Sequence, residues 1–295
     1  MTWKFKPVID DLGRFTEGPA WDGEGLYFSH VIDSKILKYV PGTDQLLTKF
    51  EDTEAANGLK FGPDGNLYAC KMDGERVDRY ERDGSTTVVA DSFEGTRLNA
   101  PNDLAFDAAG NLWFTNPQYE DFKGGTELNH ASVHMTDVTE DGGETKRMTY
   151  DTTKPNGILV SEDQQELYVA EGSNDEDHNQ FQLRAYQING AELGAFRTLH
   201  TFHPHRGIDG MCLDSKGNII GCAGNHESGP GPLLYVFNTD GRVLETHPYP
   251  NGAPTNCTFG GDDLSEIYVT DHNGGLYRAE TNRTGIIKPP ANPFP

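Results

Sequence analysis

Short apolar runs broken by Asp/Gly/Asn turns recur from one end of the chain to the other. PNDLAFDAAGNLWFTNP, residues 101–117, shows the unit most plainly. A polar residue opens it, LAF runs into D-x-x-G-N, and LWFT follows at once. Two β-type runs joined by so tight a turn predict a β-hairpin, because Gly and Asn tolerate the left-handed backbone that such turns need. The same pattern returns in EGPAWDGEGLYFSH from Glu17, NGLKFGPDGNLYAC from Asn57 and PNGILVSEDQQELYVAEG from Pro155. IDGMCLDSKGNIIGCAG from Ile208 and PTNCTFGGDDLSEIYVTD from Pro254 bring the copies to six.

The polar openers align as Glu17, Asn57, Asn102, Asn156, Asp209 and Asn256, at intervals of 40, 45, 54, 53 and 47 residues. Periods of about 40–50 residues with several strands each predict a β-propeller. In the second copy the hairpin is followed by ERVDRYERDGSTTVVAD, which reads as two further strands. Four antiparallel strands per blade and six blades follow, an all-β fold occupying residues 1–295 as one domain. The run WKFKPVI near the N-terminus is a spare strand, and the last repeat is one strand short. Both chain ends are therefore expected to close the ring, which removes exposed sheet edges. Gly, Pro and Asp-Gly turns interrupt every window of helical length.

Charge and cysteine content narrow the partners. A formal net charge of −22 excludes nucleic acid and anionic membranes as natural partners, since both attract basic surfaces. No stretch approaches the ~20 apolar residues of a spanning helix, and no signal-peptide core is visible, so a cytoplasmic monomer is expected. Cys70, Cys212, Cys222 and Cys257 fall in predicted strands without the paired spacing of a zinc site, and read as buried reduced thiols. Cys212 and Cys222 lie symmetrically about Gly217, which would let them face each other across a hairpin. Two longer segments, 118–132 and 172–180, follow second strands and are expected to roof one mouth of the channel.

The first strand of each propeller blade lines the central channel, so the six openers would form a ring. Glu17, Asn102, Asn156 and Asp209 then point at one place, with Asn57 and Asn256 on the other sides. Two carboxylates and several amide oxygens make a hard, oxygen-rich site that suits one divalent ion, Ca²⁺ best, with Mg²⁺, Mn²⁺, Zn²⁺ or Fe²⁺ as alternatives. No G-x-S-x-G elbow is present.

EGPAW at 17–21, RLNAPNDLAFD at 97–107, LWFTNPQY at 112–119, KPNGILVSED at 154–163 and IDGMCLD at 208–214 resemble the gluconolactonase, SMP-30 (regucalcin) and luciferin-regenerating enzyme family. The resemblance runs over nearly the whole chain. It implies a six-bladed propeller with one divalent ion in the channel and hydrolysis of sugar lactones. It also implies that Glu17, Asn156 and Asp209 are metal ligands and that Asn102 contacts metal or substrate. The ion would polarise the lactone carbonyl, and water would attack with Asp209 as general base. Gln118, Tyr119, Asn225, His226 and His272 are candidates to line the mouth and bind the sugar lactone. The chain departs from the pattern at VAEGSND, where relatives carry an Asp-Thr type sequence. In TFHPHRGIDG, His203, His205 and Arg206 read as surface-loop residues. Two other functions use the same framework: a phosphotriesterase-type hydrolase on the same ion, or a non-catalytic binding propeller.

Overall fold

The computed structural model describes residues 2–119, 127–138, 143–172, 181–190, 192–227, 230–287, 290–292 and 294. They form six four-stranded antiparallel sheets set around a ring, a six-bladed β-propeller, and they contain no helix. No described helix could therefore cross a membrane. Residues 120–126 and 173–180, within the two segments expected to roof the channel, lie outside the described residues.

The inner strands run Thr16–Trp21, Ala56–Phe61, Leu104–Phe106, Pro155–Val160, Ile208–Leu213 and Pro254–Gly260. Each pairs with the next strand of its repeat across a tight Asp-containing turn, which reads D-x-x-G in blades one, three and five. Aspartate builds these turns. Asp107 Oδ1 accepts from the backbone N–H of Ala109 and Asn111, and Asp214 Oδ1 does so from Lys216 and Asn218. Gly110 and Gly217 supply the left-handed φ of 94° and 73° that closes them.

Ring closure follows the expected scheme. Lys6–Ile9 pairs with Leu276–Glu280 and supplies the fourth strand of blade six. Because side chains alternate across a strand, each blade presents one apolar set to each neighbour. In blade two, Leu67 and Ala69 pack toward blade one, while Tyr68 and Cys70 pack toward blade three. A cluster of buried apolar residues fills each of the six blade interfaces. The outermost strands are solvated: Gln45–Phe50 carries four exposed residues in succession.

The four cysteines lie in strands, are buried and are free. Cys212 and Cys222 do not face each other. The hairpin register places Cys212 opposite Ile220 and Met211 opposite Gly221, so Cys222 falls outside the pairing that symmetry about Gly217 suggested. Cys212 instead meets Cys257 of the next blade, with sulfurs 3.5 Å apart.

The C-terminal segment crosses the face of the ring opposite the openers. Thr284 and Gly285 bond to blade five, and Ile286 and Ile287 lie over the channel. Phe294 is buried between blades one and two. Its N–H donates to Asp22 Oδ2, and its carbonyl accepts from the Tyr27 hydroxyl at 2.9 Å and Lys38 Nζ at 3.3 Å.

Candidate active site

All six openers sit at the channel-facing start of their blades. Glu17, Asn57, Asn102, Asp209 and Asn256 are buried, and Asn156 is half-buried. In four blades the pairing between first and second strands shifts register across the opener, and in blade one it shifts just after Glu17. A bulge there re-aims a side chain from the blade face toward the axis.

The glycines that follow four of the openers let the ring close. A Cβ on Gly18 would stand 2.3 Å from the Asn57 carbonyl oxygen, and one on Gly58 would stand 2.6 Å from that of Asn102. Gly157 meets the Asp209 carbonyl at 2.3 Å, and Gly210 meets the Asn256 amide carbon at 2.0 Å. No side chain fits at such distances, so each E-G, N-G or D-G pair serves the opener of another blade.

Blade three breaks the rule with Asp103 in the glycine position. That carboxyl is buried in the channel, and Asp103 Oδ1 accepts the Leu104 N–H at 2.9 Å. Burial raises its pKa, with the Lys60 ammonium working against the rise. The Asn256 amide lowers the pKa of both Asp103 and Glu17, against the rise that burial imposes.

The two carboxylates of the ring sit in unlike fields. Glu17 is pushed well above the usual carboxylate range by burial, then by the charges of Asp209 and Asp103. Gly18 N–H donates to Glu17 Oε2 at 2.7 Å. Among the described residues Glu17 has no ion-pair partner. Burial acts on Asp209 too, but Arg206, His272 and Asn156 together bring its pKa below the ordinary value. Arg206 Nη2 donates to Asp209 Oδ2, and His272 Nε2 stands 3.6 Å from the same oxygen. The His272 ring leans on Phe15, with centroids 4.4 Å apart.

Tyr119 reaches the ring as well. Asn102 Nδ2 donates to its hydroxyl at 2.9 Å, and Lys154 Nζ lies 5.0 Å from its ring centroid. Burial and the charges of Asp209 and Glu17 raise its pKa, so the phenol keeps its proton at any physiological pH. The structure thus gathers Glu17, Asn102, Asn156, Asp209, Tyr119 and His272. Gln118 is turned aside, its Nε2 donating to the Leu128 carbonyl at 2.7 Å, and His226 is exposed.

Arg206 is the clearest departure from the sequence reading. His203 is exposed as a surface residue would be, but the Arg206 guanidinium folds inward. Its Nη1 donates to the carbonyls of Gly224 and Pro254, at 3.0 and 3.2 Å, which belong to blades five and six. Asp103 also escaped the sequence reading, although a signal existed: it is the acidic residue standing where four other blades carry glycine.

The groups a cation would meet here are two carboxylates and several amides. Among the described residues no three His, Cys, Asp or Glu side chains come together as a metal site, so amide oxygens would have to complete one. Asn57 has such an oxygen. Its Nδ2 donates to Met72 Sδ at 3.1 Å, and its Oδ1 is buried without a hydrogen-bond partner. An orphaned buried amide oxygen in the same opener ring as two carboxylates in one another's field is the kind of donor a hard cation satisfies.

Known proteins are similar to this chain over long stretches. A gluconolactonase of Zymomonas mobilis is 28% identical over 93% of this chain and 81% of its own length. A pentonolactonase of Haloferax volcanii is 28% identical over 90% of this chain and 84% of its own. The solved structure of a Xanthomonas campestris gluconolactonase superposes with a TM-score of 0.81 at 26% identity, covering 94% of this chain and 89% of that one. Residues 15–273, from just before Glu17 to just past His272, match the SMP-30/gluconolactonase/LRE-like region, and the chain belongs to that family.

Proposed function

We propose that this chain is a metal-dependent lactonase that opens sugar lactones at the opener end of its channel. The observation that carries the proposal is the pairing of Glu17 and Asp209, two buried carboxylates at one point of the ring, in a chain whose relatives include gluconolactonases and a pentonolactonase. A scaffold with no cation to hold would gain nothing from such mutual repulsion. A divalent ion held by Glu17, Asn156 and Asp209, with Asn102 beside it, would polarise the lactone carbonyl and stabilise negative charge on its oxygen.

The chain's own groups do the rest. Asp209 is kept ionised by Arg206 and His272 facing Oδ2 in the free chain, and would be kept so by the divalent ion once bound, so it can take the proton of the attacking water. Water oxygen bonds to the carbonyl carbon, the ring C–O bond breaks, and the departing alkoxide receives that proton. A carboxylate with lowered pKa is a weak base, so activation of the carbonyl carries more of the rate than proton removal does. The Tyr119 hydroxyl and the His272 imidazole, both beside the ring, orient the sugar hydroxyls.

Proton release on a panel of hexono- and pentonolactones tests this reading. Wild type should turn over at least one of them, and Asp209→Ala should not. A wild-type chain inert toward every lactone would refute it.

A further inference from the structure

Arg206 occupies a position that a simple cation site would leave open. It pairs with Asp209 Oδ2, and its other terminal nitrogen is held by two backbone carbonyls from blades five and six. Its side chain keeps 18% of its surface exposed. Among the amides around it, Asn102 turns its Nδ2 to the Tyr119 hydroxyl. The Arg206 guanidinium on Asp209 and the Gly18 N–H on Glu17 thus answer the two carboxylates from within the chain. A metal ion needs the opposite arrangement, with oxygens turned inward and Asp209 released.

We infer that Arg206 is a built-in counter-ion of the metal site, holding Asp209 while no metal is bound and giving way when a divalent ion arrives. The inference rests on the metal reading proposed above. Its geometry is physically reasonable on both sides. A guanidinium is always charged and cannot lose its proton to escape, so it must move or share the carboxylate. The exposed flank of Arg206 gives it room to move. The consequence runs against intuition: removing a well-bonded arginine should strengthen ion binding rather than weaken it. A merely structural role predicts the reverse, because loss of a support loosens the ligands.

Isothermal titration calorimetry of the full chain, stripped with chelator and titrated with CaCl₂, MgCl₂ or MnCl₂, measures this directly. Arg206→Met should bind its ion roughly tenfold or more tightly than wild type, since a close, partly buried charge pair no longer opposes it. Arg197→Met, at an exposed pair with Glu166 on the outer face, should leave affinity within about twofold, because surface charges are screened. Should Arg206→Met fail to fold, Arg206→Lys replaces it; the lysine keeps the charge but loses the forked donors, and about threefold tighter binding is expected. In ¹⁵N-arginine-labelled protein, the Nε resonance that Arg206→Met or Arg206→Lys removes should shift on saturation with the ion. Equal or weaker affinity in the variant, or an unmoved resonance, would overturn the inference while leaving the metal reading intact. No ion bound by wild type or variant would overturn both.

Discussion

At the opener end of the channel, six polar side chains converge, and four of the six are followed by a glycine that another blade's opener approaches too closely for any Cβ. At the far end of the same strands, a cavity of about 660 Å³ is walled mainly by Trp21, Phe61, Phe106, Leu159 and Val160, with Lys60 among them and Ile286 and Ile287 across it. One mouth concentrates negative charge in a buried place. The other mixes aromatic and aliphatic walls with polar side chains such as Asp107 and Glu162 and is strapped by the C-terminal segment, whose Phe294 plugs the seam between blades one and two. The contrast shows how a propeller separates its tasks. Blade interfaces and the strap hold the ring together, which allows the opener end to carry carboxylates that would be destabilising if they stood alone.

The sharpest way to break this contrast is to exchange polar groups at the two ends. Asp209→Ala should lower kcat/KM for a hydrolysed lactone by about 10³ or more, the scale of losing a group that stabilises transition-state charge. Glu162→Gln, at the other end, should stay within about threefold. Comparable losses from both would mean that the chemistry is not confined to the opener mouth.

Gly210→Ala asks whether close approach builds the ring. A methyl there collides with the Asn256 amide, so urea denaturation should show a loss of about 3 kcal/mol, the upper range for overpacking. A neutral result would show that the blades can spread.

Phe294→Ala removes the plug of the strap. The buried ring contacts Tyr27, Phe50 and Phe61, and its loss should lower stability by about 2–3 kcal/mol. Lactone turnover should stay within about twofold, since the opener ring lies at the other end. A large drop in kcat with stability unchanged would couple the two mouths.

The smallest expected effect concerns acid. His247 is buried, stacked on Trp3 with centroids 3.8 Å apart, and burial lowers its pKa to about 4. Its folded pKa lies below the unfolded value near 6.5, so the unfolded chain binds more protons between the two. Its stabilising contribution is complete above pH 6.5 and is lost as pH falls from there toward 4. His247→Gln should therefore flatten the fall of the urea midpoint over that window, by about 1–2 kcal/mol in total. An unchanged slope would assign the acid limb elsewhere.

Much of this architecture was legible because a repeated unit averages out local ambiguity. One D-x-x-G-N turn is a weak signal, but six hairpins in register, each turning at an Asp-containing segment, specify blades, ring and channel together. Closure by both chain ends was legible for the same reason: the first and last repeats were complementary fragments. The ring members Glu17, Asn102, Asn156 and Asp209 came from that register. Arg206 did not, because its meaning depends on carbonyls at Gly224 and Pro254 that no local pattern reveals. Gln118 was placed at the mouth by proximity in sequence, yet its amide is spent on Leu128. The Cys212–Cys222 juxtaposition assumed a symmetric hairpin, and the true register is offset. Asp103 could have been found by asking why one of the two blades without the glycine carries a carboxyl there.

The most direct test of the account strips the protein with chelator and restores one ion at a time, measuring bound ion per chain and lactone hydrolysis in the same samples. Glu17→Gln is carried alongside, as it removes one ring charge with little change of shape. The account predicts that activity disappears on stripping and returns in proportion to a single bound ion in wild type. In Glu17→Gln, binding should be weaker by about tenfold or more. Full hydrolysis by the stripped protein, or an ion bound equally well by Glu17→Gln, would contradict it.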